Sequence, residues 1–144
     1  MMPESDGPSP SFAVAGLGAM GAALARNIAR TGRRVVVHNR TTATTEKFLA
    51  EHGHEGDLVG VRALGEVVDA LQPPRVVVIM VKAGDPVDEV IDGLANRLER
   101  GDVIVDAGNA HVRDTDRRAC AAAALGIGYL GVGVSGGEAG ALHG

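Results

Sequence analysis

The sequence predicts an α/β fold built on a doubly wound parallel sheet, in a single domain. Short runs of β-branched residues alternate with longer helical stretches, which is the pattern of repeated βαβ units. A glycine-rich turn, GLGAMG, stands directly between the first predicted strand and the first predicted helix, as in Rossmann-type folds. The 144 residues show no internal linker or repeat, and this length suits one domain.

The first elements follow from the placement of valine and alanine. The apolar residues 12–15 predict a strand. Residues 19–30 are rich in alanine, which has the highest helix propensity, and Thr31-Gly32 end this helix. Residues 34–38 predict a second strand, because their three consecutive valines are typical of a strand that is covered on both faces.

The middle of the chain contains two predicted helices and the most apolar strand. The helices cover residues 44–52, which Gly53 ends, and residues 64–71. The prolines of the QPP sequence at residues 72–74 stop the second helix. Residues 75–81, RVVVIMV, then predict a central strand of the sheet.

The last third repeats the alternation of helix and strand. Residues 85–100 predict a helix, because Pro86 suits a first turn and apolar residues recur on one face. A strand over residues 102–106, a helix over 112–125 and a strand over 127–134 follow. Right-handed crossovers between the five strands predict a parallel sheet in the order 3-2-1-4-5.

Composition and charge exclude several classes of protein. Residues 1–11 lack the regions of a signal peptide and predict a disordered leader before a domain over residues 12–144. The net charge of -4 argues against nucleic acid as a partner, and no apolar run is long enough for a membrane span. The single Cys120 fits the reducing cytoplasm, and the histidines show no metal-ligand spacing. We expect the charged residues 113–118 to be a solvent-exposed helix start.

The glycine-rich turn predicts a dinucleotide site. Its spacing is G-x-G-x-x-G over residues 16–21. Gly16 permits a tight turn, Gly18 lets the backbone approach a pyrophosphate, and Gly21 allows close packing of helix on strand. The phosphates would then face the free amides at the start of the following helix.

The end of the second predicted strand favours NADP over NAD. NAD-binding domains usually carry an acidic residue there for the ribose hydroxyls, whereas this chain has Asn39, Arg40 and Thr41. No carboxylate repels a 2′-phosphate, and the Arg40 guanidinium could bind it. An exposed loop arginine without a ligand is the alternative interpretation of Arg40.

Three further segments follow the later strands and should meet at the same edge of the sheet, since ligands bind outside the carboxyl ends of the strands. Lys82 follows the third predicted strand and Asn109 the fourth. After the fifth, the sequence GVSGGE offers bare amides and the Ser135 hydroxyl to a polar substrate.

Together these segments resemble the decarboxylating 6-phosphogluconate dehydrogenase family. In order, they are GLGAMG, HNRT, MVKAG, DAGNAHVRDT and GVSGGEAGALHG. The last two discriminate best, because many oxidoreductases share the first. The resemblance implies that the cofactor contacts Gly16, Leu17, Gly18, Ala19, Met20, Gly21, Asn39, Arg40, Thr41, Val81, Lys82, Ala83 and Asn109. It implies that the substrate contacts Asn109, Ser135, Gly136 and Gly137.

The resemblance also implies an activity. Members of the family oxidise the C3 hydroxyl of 6-phosphogluconate with NADP and release carbon dioxide, which gives ribulose 5-phosphate in the pentose phosphate pathway. The catalytic lysine and glutamate belong to a helical second domain, for which these 144 residues offer no counterpart. We therefore assign no catalytic residue and expect cofactor binding without turnover by the chain alone. A full-length enzyme is expected to be a homodimer.

Two alternatives remain open at this point. A β-hydroxyacid dehydrogenase of the hydroxyisobutyrate type shares the first glycine turn and the Asn-Arg-Thr sequence, but its fourth strand usually ends in a Ser/Thr-rich segment. A stand-alone NADP-binding or sensing module without catalysis would carry the same binding motifs.

Overall fold

The structure, a computed structural model, describes residues 11–144 and has a Rossmann-type α/β fold. Six parallel strands form one sheet in the order β3-β2-β1-β4-β5-β6. The strands are β1 (Ser11–Ala15), β2 (Val35–His38), β3 (Leu58–Gly60), β4 (Arg75–Ile79), β5 (Val103–Asp106) and β6 (Gly128–Gly131). The helices are α1 (Ala19–Arg30), α2 (Thr42–His52), α3 (Leu64–Asp69), α4 (Asp85–Ala95), α5 (Val112–Ala124) and α6 (Gly137–His143), and a 3₁₀ turn covers Gly53–Glu55.

Helices cover both faces of this sheet, as the predicted fold class requires. Along β1, Ala13 and Ala15 face one apolar cluster, while Val14 faces the other. The first cluster includes Leu94 of α4 and the second includes Phe48 of α2. Because the central strands β1, β2, β4 and β5 each contribute side chains to both clusters, their continuous apolar runs are explained by burial on both sides.

The predicted strand order needs one correction. Among the five predicted strands, the strand over residues 75–81 is the third. The predicted order 3-2-1-4-5 therefore puts it at the edge of the sheet, beside β2. That placement is wrong, because β4 pairs with β1, with Val77 beside Ala13. The position outside β2 is filled by β3, which the sequence analysis missed. A strand of three residues is too short for a recognisable strand pattern in the sequence, and pairing with β2 stabilises it.

The predicted helices agree with the structure, apart from two differences in the last third of the chain. Helix α1 has the predicted bounds, whereas the helix predicted over residues 85–100 ends at Ala95. The strand predicted over 127–134 is limited to β6, and α6 was not predicted because glycine-rich sequences have low helix propensity. Packing against α1 supports α6, and the Asn27 side chain donates to the Ala141 carbonyl at 3.0 Å.

The predicted leader lies outside the described residues except for Ser11, which already belongs to β1. Among residues 11–144, no helix has the length and apolar character needed to cross a membrane.

Candidate functional site

The carboxyl ends of five strands lie side by side at one edge of the sheet. Ala15 of β1 pairs with His38 of β2 on one side and with Ile79 of β4 on the other. Ile79 pairs in turn with Asp106 of β5, which pairs with Gly131 of β6. Every segment that was singled out for binding therefore begins at this edge, which is where ligands bind in sheets of this kind.

The three motif glycines of the first turn differ in what surrounds them. Gly16 has a φ of +105°, and a Cβ there would lie 2.3 Å from the Met80 carbonyl oxygen. A Cβ at Gly21 would lie 1.9 Å from the Gly16 carbonyl oxygen, whereas a Cβ at Gly18 would meet nothing within 4 Å. Gly16 and Gly21 are thus required by packing of the protein itself. Gly18 instead leaves open space beside the backbone.

The open space beside the Gly18 backbone lies at the start of α1. Gly18 is the N-cap residue of this 12-residue helix, and no side chain caps it. Ala19 is exposed and Met20 is half-buried. The first-turn amides and the positive end of the helix dipole are the groups that bind phosphate in dinucleotide-binding folds.

The loop after β2 is fixed to the glycine turn by Asn39. Its side-chain oxygen accepts a hydrogen bond from the Leu17 backbone, and its side-chain nitrogen donates to the Thr41 carbonyl at 3.4 Å. The Asn39 backbone N–H donates to the Thr45 hydroxyl at 3.0 Å. Arg40 takes no part in these bonds, and 90% of its side chain is exposed.

Arg40 borders a cleft of about 370 Å³, which we call the β1–β2 cleft. The Arg40 guanidinium lies 4.0 Å from the Glu89 carboxylate. Sequence reasoning missed Arg62, a second arginine that lines the cleft, because it follows the unpredicted strand β3. The lining residues are Ala15, Gly16, His38, Asn39, Arg40, Arg62, Ala63, Leu64, Val81, Pro86, Glu89 and Val90.

Close backbone contacts join the turns after β1, β4 and β5. A Cβ at Gly16 would lie 3.0 Å from a Val81 methyl carbon, and one at Gly108 would lie 2.5 Å from the Val81 carbonyl oxygen. The fold therefore brings the predicted residues 16–21 and 81–83 together with the turn that carries Asn109. Lys82 and Ala83 are exposed beside them.

Asn109 has the only positive φ of a non-glycine residue in residues 11–144, at 57°. This conformation is uncommon and often marks a functional position. Its exposed side chain borders a second cleft of about 370 Å³, the β5–β6 cleft. Thr115 and Asp116, which belong to the predicted charged helix start, also border it. The complete lining is Asp106, Asn109, Ala110, Val112, Thr115, Asp116, Gly131, Val132 and Gly133.

The three other predicted substrate residues lie between β6 and α6. Ser135, Gly136 and Gly137 are exposed, and both glycines have positive φ, 95° and 63°. They line neither cleft. Val134 packs against the apolar cluster that contains Leu17, so the loop reaches the glycine-turn side of the sheet edge.

A buried polar network lies beneath the β5–β6 cleft. The Tyr129 hydroxyl donates to an Asp106 oxygen at 2.6 Å, and burial together with this bond raises the pKa of Tyr129 well above its usual range. Tyr129 therefore stays protonated. Arg118 approaches the same Asp106 oxygen at 3.5 Å and is buried, so the prediction that residues 113–118 are solvent-exposed is wrong for Arg118. Among residues 11–144, no cluster of potential ligands suits a metal ion.

Residues 11–144 match the model of the NAD binding domain of 6-phosphogluconate dehydrogenase. The chain belongs to this family. The resemblance drawn from the five motifs is thereby confirmed, as is the expectation of a dinucleotide-binding domain.

Relatives named decarboxylating 6-phosphogluconate dehydrogenase share close to half of the residues. The Treponema pallidum relative is 48% identical over 129 residues, which are 90% of this chain and 26% of the relative. The Schizosaccharomyces pombe relative is 48% identical over 133 residues, 92% of this chain and 27% of the relative. The chain thus spans about a quarter of the length of these relatives.

Solved structures agree with the family. Plasmodium falciparum 6-phosphogluconate dehydrogenase has a TM-score of 0.86 at 36% identity and covers 93% of this chain and 29% of its own. That enzyme is described in its apo form, with its cofactor NADP⁺ and with its substrate 6-phosphogluconate. Mycobacterium tuberculosis 3-hydroxyisobutyrate dehydrogenase has a TM-score of 0.78 at 26% identity, over 92% of this chain and 43% of its own.

Proposed function

We propose that this chain binds NADP and forms the cofactor-binding part of a decarboxylating 6-phosphogluconate dehydrogenase. The observation that carries the proposal is the end of β2, where exposed Arg40 borders a cleft beside the glycine turn. The loop has no acidic residue among Asn39, Arg40 and Thr41. A guanidinium in this position suits a 2′-phosphate, and an acidic residue would repel it.

The rest of the edge fits a dinucleotide. Open space at Gly18 and the uncapped start of α1 suit a pyrophosphate, and the joined turns at Val81 and Gly108 continue the edge toward β5. We propose that the cofactor contacts Gly16, Leu17, Gly18, Ala19, Met20, Gly21, Asn39, Arg40, Thr41, Val81, Lys82, Ala83 and Asn109. NADP supplies the hydride acceptor for an oxidation when it is bound.

The β5–β6 cleft beside Asn109 is the proposed entry to the substrate site. The Asn109 carboxamide offers a donor and an acceptor to a hydroxyl-rich substrate. Gly108, the residue before Asn109, lies against the Val81 carbonyl in the turn after β4. Ser135, Gly136 and Gly137 add a hydroxyl and exposed backbone amides, which suit a carboxylate. This set supports 6-phosphogluconate, an anionic polyol, as the substrate.

The second candidate is a hydroxyisobutyrate-type dehydrogenase, since a solved structure of that type shares the fold at 26% identity. The higher identities to 6-phosphogluconate dehydrogenases, 48% in two relatives, favour the first candidate. A cytoplasmic location and a homodimeric full-length enzyme complete the proposal. The free, exposed Cys120 suits a reducing compartment, and the homodimer rests on the family resemblance.

An NMR titration separates the two candidate substrates even if their binding is weak. Amide resonances of the ¹⁵N-labelled, NADP-loaded chain are followed as 6-phosphogluconate or 3-hydroxyisobutyrate is added. We expect 6-phosphogluconate to shift the resonances of Asn109 and Gly136, and 3-hydroxyisobutyrate to leave them in place. Shifts with 3-hydroxyisobutyrate alone would reverse the assignment.

A further inference from the structure

Arg118 is a buried cation with an unusually complete set of partners. It lies on α5, and only 2% of its side chain is exposed. Its Nε atom lies 2.9 Å from one Asp88 oxygen, and its Nη2 atom lies 3.1 Å from the other. The same Nη2 atom donates to the Gly84 carbonyl at 3.0 Å, while Nη1 lies 3.5 Å from Asp106. Burying a charge is costly, so a structural or functional reason for this arrangement is required.

The partners of Arg118 belong to two different binding turns. Gly84 directly follows Lys82 and Ala83, in the turn after β4. Asp106 ends β5, and its other oxygen accepts a hydrogen bond from the Gly108 backbone at 3.2 Å. Gly108 precedes Asn109, the residue held at positive φ. One guanidinium therefore links the turn after β4 with the turn that carries Asn109.

We propose that Arg118 is a positioning residue for the nicotinamide half of the dinucleotide, through these two turns. The inference rests on the proposed function, because it assumes that the turns after β4 and β5 contact NADP. In the proposed function, the adenosine half of NADP binds in the β1–β2 cleft. The two arginines of that cleft form ion pairs with carboxylates that are not partners of Arg118. Arg40 lies 4.0 Å from Glu89, and Arg62 lies 3.3 Å from Glu46.

The chemistry of the site requires arginine and not only a positive charge. The planar fork of a guanidinium can serve the Asp88 carboxylate and the Gly84 carbonyl at once, whereas a lysine ammonium is a single point charge. Hydrogen bonds from Arg118 lower the pKa of Asp88, so this pair is ionised at neutral pH. Replacement by lysine should keep the charge and loosen the two turns.

Arg117 provides a matched control on the same helix. It is the neighbouring residue, its side chain is 59% exposed, and it reaches the same Asp88 carboxylate at 3.1 Å. Within residues 11–144, the Arg117 side chain forms hydrogen bonds with Asp88 but none with Gly84 or Asp106. Arg117→Lys therefore removes one arginine from α5 but keeps the connection that Arg118 makes between the turns after β4 and β5.

The experiment measures calorimetric affinities for NADP⁺ and for 2′,5′-ADP, which lacks the nicotinamide half. We expect Arg118→Lys to weaken NADP⁺ about tenfold, or 1.4 kcal/mol, and to change 2′,5′-ADP by less than about twofold. Arg117→Lys should change neither affinity. Equal weakening of both ligands by Arg118→Lys, or no weakening of either, would overturn the positioning role.

A second variant keeps the test decisive if Arg118→Lys does not fold, which circular dichroism reveals. Asp88→Asn preserves the shape of the partner but removes its charge, and it should weaken NADP⁺ selectively as well. Unchanged or equally reduced affinities for the two ligands would overturn the inference. If the unaltered chain binds neither ligand, the proposed function itself fails and the inference falls with it.

Discussion

The side-chain oxygen of Asn39 accepts a hydrogen bond from the backbone N–H of Leu17 at 2.9 Å. Leu17 is the second residue of the glycine turn, and Asn39 is the first residue after β2. The bond therefore fixes the distance between two neighbouring loops of the proposed NADP site. It also satisfies an amide of a buried residue, since Leu17 is only 6% exposed.

Replacing Asn39 separates this structural role from cofactor selectivity. Asn39→Ala should lower the free energy of unfolding by about 1–3 kcal/mol, because it leaves the Leu17 N–H without its partner. It should also weaken NADPH and NADH to a similar degree. Asn39→Asp keeps the acceptor and adds a negative charge, so it should remain stable and weaken NADPH more than NADH. Urea unfolding and nicotinamide fluorescence measure the two effects, and an Asn39→Ala variant as stable as the unaltered chain would refute the structural role.

The glycine turn offers a contrast between two substitutions. Gly18→Ala adds a Cβ that meets nothing within 4 Å, so stability should change by less than about 1 kcal/mol. NADPH affinity should still fall about tenfold or more, because the methyl group occupies the proposed pyrophosphate approach.

Gly21→Ala should destabilise the fold much more than Gly18→Ala, because the added Cβ would lie 1.9 Å from the Gly16 carbonyl oxygen. We expect a loss of about 2 kcal/mol or more, as for other overpacked sites. Urea unfolding of both variants and NADPH titration of Gly18→Ala check the pair. Full NADPH affinity in Gly18→Ala would remove the glycine turn from the proposed site.

The sequence predicts best where one local pattern determines the structure. Helix α1 has its predicted bounds because its many alanines favour a helix and the glycine that follows them ends it. Strand β3 depends on pairing with β2, and α6 depends on packing against α1, so neither has a sufficient local signal.

The candidate site follows the same division. The glycine turn and Arg40 are recognisable because dinucleotide binding restricts residue types at fixed positions along the chain. Arg62 was missed together with β3, since its position at the sheet edge depends on that strand. Burial of Arg118 depends on carboxylates that lie 12 and 30 residues away in the chain, which no local charge pattern can reveal.

Glu55 predicts how stability depends on pH. Partial burial opposes ionisation of its carboxylate, but hydrogen bonds with Arg26, His52 and Arg30 outweigh that effect and lower the pKa from 4.5 to about 2. A lowered pKa in the folded state stabilises the fold above the ordinary pKa of the carboxylate. This contribution, up to about 3 kcal/mol, should be lost as the pH falls from about 5 toward 2.

Unfolding free energies of the unaltered chain and of Glu55→Gln at several pH values measure this effect. The variant should be less stable at pH 7, and the difference between the two proteins should shrink in acid. A difference that stays constant between about pH 6 and pH 3 would show that ionisation of Glu55 contributes nothing to stability.

The central claim is that this chain binds NADP and that Arg40 recognises its 2′-phosphate. The most direct test is a parallel titration of the chain and of Arg40→Ala with NADPH and NADH, followed by nicotinamide fluorescence. We predict tighter binding of NADPH by the unaltered chain, and a loss of at least about tenfold in that preference in Arg40→Ala, since charge-assisted bonds to phosphate are strong. Equal affinities for NADPH and NADH in the unaltered chain, or a preference that survives Arg40→Ala, would contradict the claim.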